Sequence, residues 1–401
     1  MKFSSMEEVL RLQYMSELDE WKDTDVVKVI LGVRRAGKSV VMRQYVRRLK
    51  DEGVPDSSIL FLDFESSDLD RVTNFRDLNE YIAERIPRIS RTYVFLDEVQ
   101  RVDGWERTVN SLMVDYDADV YIAGSNAYLL SSELSTYISG RYVEITVLPF
   151  SFKEFLSGHP ATPDVDRNAR FQQYLRTGGM PLTDPDRGDR YNRMVLEGIY
   201  NTVLVKDAAT RMKIRDLSGL DSIARFLLDN TGNITNVDSI VRTTRLSKKT
   251  VAKYIRTLTE AFLFFKVERY DVVGKRLMDS HEKYYPVDVG LARAVLDRGV
   301  ADTSRPLENI VFLELVRRGY RVRVGSFRDR EVDFTAEKDG RTEYFQVCLT
   351  MLEDSTYLRE TRSLKAIDDN YPKTVLSLDP IARDLPDGLM HRNVVEWLLD
   401  G

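Results

Sequence analysis

Gly32-Val33-Arg34-Arg35-Ala36-Gly37-Lys38-Ser39 sets two glycines around a four-residue turn, directly ahead of a lysine and a serine. Neither glycine has a Cβ, so the chain there can take a turn closed to other residues and bring its own N–H groups against an anion. The apolar run Val26, Val27, Val29, Ile30, Leu31 before it reads as a buried strand. After it, residues 39–49 have helical spacing, with Val41, Tyr45 and Leu49 on one face. Strand, glycine loop, helix is the order that a phosphate-binding loop requires. The helix would point its positive dipole end at the phosphates, beside N–H groups from Arg34, Arg35, Ala36 and Val40. Lys38 is then the mobile charge for the β and γ phosphates, and the Ser39 hydroxyl a ligand for Mg²⁺. A plain glycine turn between a core strand and a core helix is the other reading.

At about 150 residues per domain, 401 residues suggest two to three domains. With 59 basic and 64 acidic residues the net charge is −5, so nucleic-acid contact would have to be a local patch. Cys348 is the single cysteine, which excludes an internal disulfide and fits a reducing, cytoplasmic setting. The first 25 residues carry Lys2, Glu7, Glu8, Arg11, Glu17, Asp19 and Glu20, and no run of 18 apolar residues occurs, so neither a signal core nor a membrane span is expected. His159, His281 and His391 lack metal-ligand spacing.

Strands alternate with helical patterns up to about residue 150, predicting a parallel sheet covered by helices. Five strands are expected, at residues 26–31, 58–64, 92–98, 119–126 and 142–147. The third ends in Phe95-Leu96-Asp97-Glu98, the form of a Walker B segment. Such carboxylates lie at the strand's C-terminal end beside the phosphate loop, where Asp97 can hold Mg²⁺ through water and Glu98 can orient or deprotonate the attacking water. Ser125 and Asn126 end the next strand, where a polar residue can sense the γ phosphate; equally, they could cap a helix from Tyr128 to Leu134. Arg141 could reach a γ phosphate in its own or a neighbouring subunit, or be a solvated strand-edge charge.

Residues 216–295 have the character of a winged helix, with Ser247 capping a helix whose buried face is Val251, Ile255 and Leu258. Arg242, Arg245, Lys248, Lys249, Lys253 and Arg256 fall between Val241 and Leu258 without one acid, which suggests phosphate contacts or a solvated face. Residues 262–270 and 283–287 would be wing strands flanking Lys275-Arg276. In the last hundred residues Glu308, Glu314, Asp333 and the Gln346-Val347-Cys348 strand resemble a PD-(D/E)XK nuclease scaffold. The second acid is replaced by Gln346 and the lysine by Cys348, so a nuclease scaffold that cuts nothing is expected.

Together with Val99-Gln100, Gly124, Gly140, residues 149–155 and Glu308-Asn309, these motifs resemble the prokaryotic AAA-type ATP-binding proteins that end in a domain of unknown function. The resemblance implies an AAA-like parallel sheet with an additional strand between Walker A and Walker B, a winged helix and a small PD-(D/E)XK-like α/β domain. Expected domains are 1–150 (ATPase), 151–215 (helical lid), 216–295 (winged helix) and 296–401 (degenerate nuclease). The expected activity is ATP hydrolysis with Mg²⁺ as a switch, with Lys38, Glu98, Asn126 and Arg141 as its catalytic residues. An ATP-gated DNA-binding regulator comes second and a Mg²⁺-dependent nuclease third; a homo-oligomer is a further expectation.

Overall fold

Five strands, β1 (Val27–Leu31), β2 (Ile59–Asp63), β3 (Thr92–Asp97), β4 (Ala118–Gly124) and β5 (Tyr142–Thr146), form one parallel sheet in the order β2-β3-β4-β1-β5. The computed structural model describes residues 9–400 except 88–89, 128–139, 211, 279–280, 297–303 and 328–329. One unit comprises the chain up to Val147 with Glu260–Phe262; the other comprises Leu148–Thr259 and Leu263 onward. Residues 151–215, 216–295 and 296–401, separate regions in the sequence reading, thus group together in the second unit.

In the first unit, β1 and β3 are buried along their whole length, as helices on both faces of a parallel sheet require. The additional strand between the loop strand and the Asp97 strand is β4, which stands between β1 and β3, while β2 is an edge. Helix α1 (Leu12–Trp21) precedes β1, and α2 (Lys38–Asp51) follows it, burying Val41, Met42, Tyr45 and Leu49. Tyr45 packs against the stacked rings of Phe95 and Tyr121, its ring centroid 6.4 and 5.5 Å from theirs. α3 (Phe75–Ala83) is capped by Asn74, whose side chain accepts from the N–H groups of Arg76 and Asp77. α4 (Trp105–Asp115) completes the described helices of this unit.

One polar pair interrupts that core. Lys28, in the middle of the sheet, is ion-paired with Asp119 of β4, and both side chains are fully buried. Asp119 also accepts from the Asp23 N–H (2.9 Å) and the Tyr121 hydroxyl (3.0 Å), so its lone pairs are satisfied.

The second unit opens with α5 (Phe152–Gly158), whose Ser151 and Glu154 form a capping box. α6 (Arg167–Thr177) and α7 (Gly188–Thr202) follow, the last running on as a π-helix over Val203–Thr210. α8 (Leu217–Asp229), β6 (Ile234–Thr235), α9 (Val237–Thr244), α10 (Lys248–Glu260), β7 (Phe264–Val267), β8 (Arg269–Asp271), β9 (Arg276–Leu277) and β10 (Glu282–Pro286) come next. β6, β10 and β7 pair antiparallel in a three-stranded sheet. The hairpin β8–β9, with Lys275-Arg276, is not the wing tip expected from sequence: β8 pairs with the next sheet.

That sheet has seven strands in the order β15-β14-β13-β12-β11-β8-β9. After α11 (Val289–Leu296) and α12 (Ser304–Arg317) come β11 (Arg321–Phe327), β12 (Arg330–Lys338) and β13 (Arg341–Val347). α13 (Asp354–Lys365), β14 (Lys373–Ser377), β15 (Leu389–Asn393) and α14 (Val394–Leu399) complete it. Tyr285, Phe312, Phe334, Phe345 and Trp397 form the centre of its core with Phe152, Phe171 and Tyr174 from α5 and α6. The Gly178-Gly179 turn wraps Asp288, which accepts from the Gly179 and Gly290 N–H groups at 2.6 and 2.9 Å. A Cβ at Gly178 would lie 2.0 Å from the Asp288 carboxylate.

Candidate functional site

The register Leu31↔Gly124 brings the C-terminal ends of β1 and β4 level, so the loop Gly32–Ser39 and Ser125-Asn126 share one edge of the sheet. Asp97 ends β3 on the far side of β4, level with Ala123. Within the loop, Gly37 (φ 101°) takes the left-handed conformation at the start of α2, and Arg35 (φ 71°) does so despite its side chain. Gly32 is glycine for a reason absent from the sequence argument: a Cβ there would lie 2.2 Å from the Val147 carbonyl oxygen, where the chain leaves β5.

Lys38 is 5% exposed and folds its ammonium back onto the Gly32 and Val33 carbonyls at 2.9 and 3.1 Å. Asp97, 1% exposed, shares a hydrogen bond with the Ser39 side chain. Its Oδ1 is buried with no hydrogen-bond partner. Burial pushes this carboxyl up to about 6; Ser39 and Lys38 oppose the rise, while Glu98 and Asp63 add to it. An orphaned carboxylate oxygen next to a serine hydroxyl is a hard-oxygen donor set, and these residues fit Mg²⁺.

Glu98 has left-handed backbone (φ 54°), with its N–H donating to the Ala123 carbonyl at 3.0 Å. Its carboxylate accepts from the Gln100 side-chain amide. Asn126 is buried. The helix that Ser125 and Asn126 would cap lies outside the described residues. Arg141 is exposed and stands apart from the others. The register Val27↔Tyr142 and Leu31↔Thr146 sets it at the opposite end of β1 from the loop. Five strand residues span about 16 Å, beyond the reach of an arginine, so the reading in which it serves its own phosphate site is corrected.

Sequence reasoning missed three supports. Arg11, 1% exposed, donates from Nη1 to the Ala36 carbonyl at 3.1 Å and from its N–H to the Gln44 Oε1 at 3.1 Å, bracing the loop. Glu65 pairs with Arg34 (3.2 Å) and Arg101 (3.1 Å), tying the loop to the turn after β3. Gln100 is the third, and its place in the Glu98 motif was the only signal.

Residues 24–156 match the family model described as an AAA domain. An uncharacterized protein of Haemophilus influenzae is 38% identical over 98% of both chains. The chain belongs to the AAA-type ATP-binding family. A second relative of this AAA protein, an uncharacterized protein of Methanocaldococcus jannaschii, is 27% identical over 86% of this chain and 79% of its own. A domain of unknown function matches residues 168–302, the middle of the chain and not its end. Among solved structures, AMPPCP-bound DnaA from Aquifex aeolicus is similar at 14% identity and TM-score 0.30, covering 63% of this AAA protein and 89% of that chain.

Elsewhere in the AAA protein, Lys249, Lys253 and Arg256 are exposed on α10, whose buried face is Val251, Tyr254, Ile255 and Leu258. Lys248 is ion-paired with Asp238 of α9 at 2.6 Å, an acid just outside the basic run, so the run is less unopposed than its sequence suggests. Glu314 is corrected as a cation ligand: it accepts from Arg317 (2.6 Å) and Arg318 (2.9 Å). Burial pushes the Cys348 thiol up to about 12, so it supplies neither thiolate nor cation. No described helix is long and apolar enough to cross a membrane.

Proposed function

We propose that this AAA-family protein binds ATP at Gly32–Ser39 and hydrolyses it with Mg²⁺, and that the γ phosphate biases the arrangement of the C-terminal modules. The observation that carries the reading is the buried, unpartnered Oδ1 of Asp97 on the carboxylate that Ser39 holds. Mg²⁺ held by Ser39 and Asp97 would offset the negative charge of the β and γ phosphates. Lys38 exchanges the carbonyls of Gly32 and Val33 for phosphate oxygens, while N–H groups from Arg34 to Val40 complete the cradle. Glu98 takes the proton of the attacking water, its carboxylate steadied by Gln100. Asn126, at the end of β4, contacts the γ phosphate. Arg141 acts on a neighbouring copy, which makes a homo-oligomer part of the proposal; a cytoplasmic setting is proposed on the single cysteine.

Calorimetry and turnover test this reading. Lys38→Ala is expected to abolish measurable ATP affinity, and Glu98→Gln to keep affinity and lose turnover. Normal affinity in Lys38→Ala refutes it. ATP-gated DNA binding is the second reading, favoured by the exposed Lys249, Lys253 and Arg256 at helical spacing on α10.

A further inference from the structure

Lys283, on β10, is 3% exposed, and its ammonium lies 2.7 Å from Glu331 and 3.2 Å from Glu308. The Tyr285 hydroxyl, from the same strand, donates to the same Glu308 oxygen at 2.5 Å. Glu308 is on α12, and Glu331 and Asp333 are on β12. Asp333 accepts from the Val347 N–H at 2.8 Å. Gln346 accepts from the Asp333 N–H at 3.4 Å and donates to Glu360 of α13 at 2.9 Å.

These are the positions where the nuclease resemblance puts a divalent ion, and the residues do not fit one. Hard cations need several oxygens at about 2.0–2.6 Å from a shared centre. Among the described residues one trio of His, Cys, Asp and Glu side chains converges that closely, His159, Asp184 and Asp186, and it contains none of this cluster. There Arg170 already pairs with Asp186 at 2.8 Å. In the cluster, Gln346 is committed to Glu360 and Asp333 to backbone, and the cationic centre nearest Glu308 and Glu331 is the lysine.

Burial alone would discharge Lys283, but Glu308, Asp333 and Glu331 outweigh it and hold the ammonium charged. Burial and the negative charge of Glu308 push Asp333 well above the carboxylate range, and Lys283 opposes that rise. An ammonium supplies charge and three directed donors but leaves no open coordination position for a water.

We propose that Lys283 is the resident cation of this nuclease-like centre, standing where a divalent ion would be needed, so that the module is charge-balanced without metal and cuts no nucleic acid. Mn²⁺ uptake by electron paramagnetic resonance tests it. The full chain is used without nucleotide, with Asp97→Asn to silence the phosphate-loop cation position. That parent is expected to take up no Mn²⁺, and adding Lys283→Met is expected to create one Mn²⁺ site that Asp333→Asn removes. Mn²⁺ uptake by the parent that Asp333→Asn abolishes overturns the proposal, as does a folded Lys283→Met chain that takes up none. Should Lys283→Met fail to fold, melting of the parent decides. Equal melting temperatures in chelator and in Mn²⁺ are expected, and a Mn²⁺-dependent rise that Asp333→Asn removes overturns the idea.

Discussion

Asp97→Asn is expected to stabilise the protein in the absence of metal and nucleotide while abolishing its turnover. In the folded chain burial holds the Asp97 carboxyl at about 6, against an ordinary 3.8. At 1.36 kcal/mol for each pH unit the difference is worth about 3 kcal/mol. The folded-state pKa is the higher one, so folding favours the protonated acid. That contribution is fully present below about pH 4 and is lost as pH rises through about 6. Asparagine keeps an oxygen to accept from Ser39 and has no charge to bury. Urea unfolding in chelator at pH 4.5, 6 and 8 reads both proteins. Their stability difference should grow by about 2 kcal/mol in favour of the variant from pH 4.5 to pH 8, since about 1 kcal/mol of the effect has already appeared at pH 4.5. Subtraction removes other groups with similar titration, including Asp288, which burial also lifts to about 6. Mg²⁺ and ATP should reverse the order at pH 8, since a ligand that binds only the folded state stabilises it by mass action. A pH-independent difference, or a less stable variant at pH 8 in chelator, refutes the reasoning.

Lys28→Met strands the buried Asp119 charge and should cost about 3–5 kcal/mol in urea unfolding; a loss below about 1 kcal/mol would mean that the pair is worth little. Arg141→Ala should keep ATP affinity and lower turnover by about 10³, and mixing it with Glu98→Gln should restore part of the rate; unchanged turnover returns Arg141 to a surface charge. Lys249→Ala should lower the slope of log DNA affinity against log salt by about one unit, whereas Lys248→Ala should change it less because Asp238 already holds that ammonium. Duplex binding that is absent even at low salt sinks the DNA reading.

What could be read along the chain depended on how local each signal is. β1, the glycine loop and α2 are consecutive, and the burial of Val41, Tyr45 and Leu49 follows from a 3.6-residue period. Strand order is a different kind of fact. Nothing between Leu31 and Asp97 says that β4, later in the chain, will slide between β1 and β3 and carry Asn126 to the loop. The same non-locality explains Arg141: placed directly before a strand, it invites a role at the phosphates, yet the parallel register with β1 sends that strand's beginning to the other edge. Arg11 gave no signal because a lone arginine ahead of a helix is ordinary until the fold buries it under Ala36.

The nuclease-like module shows why a motif read by position can be right about geometry and incomplete about charge. Gln346 and Cys348 were visible as losses, since the scaffold puts an acid and a lysine there. The compensation was not visible, because Lys283 belongs to β10, a strand of the preceding three-stranded sheet. Its charge matters only where Glu308 and Glu331 meet it, 25 and 48 residues later in the chain. Three carboxylates around one buried ammonium, Glu308, Glu331 and Asp333, would be costly to assemble without compensation. Burial and Glu308 raise the Asp333 carboxyl above its ordinary range, Glu360 is held by Gln346 and Arg359, and Glu308 and Glu331 face the lysine directly. The substitutions that disable metal binding therefore belong to one charge balance with Lys283, and reverting Gln346 to an acid without removing that lysine should restore no metal site.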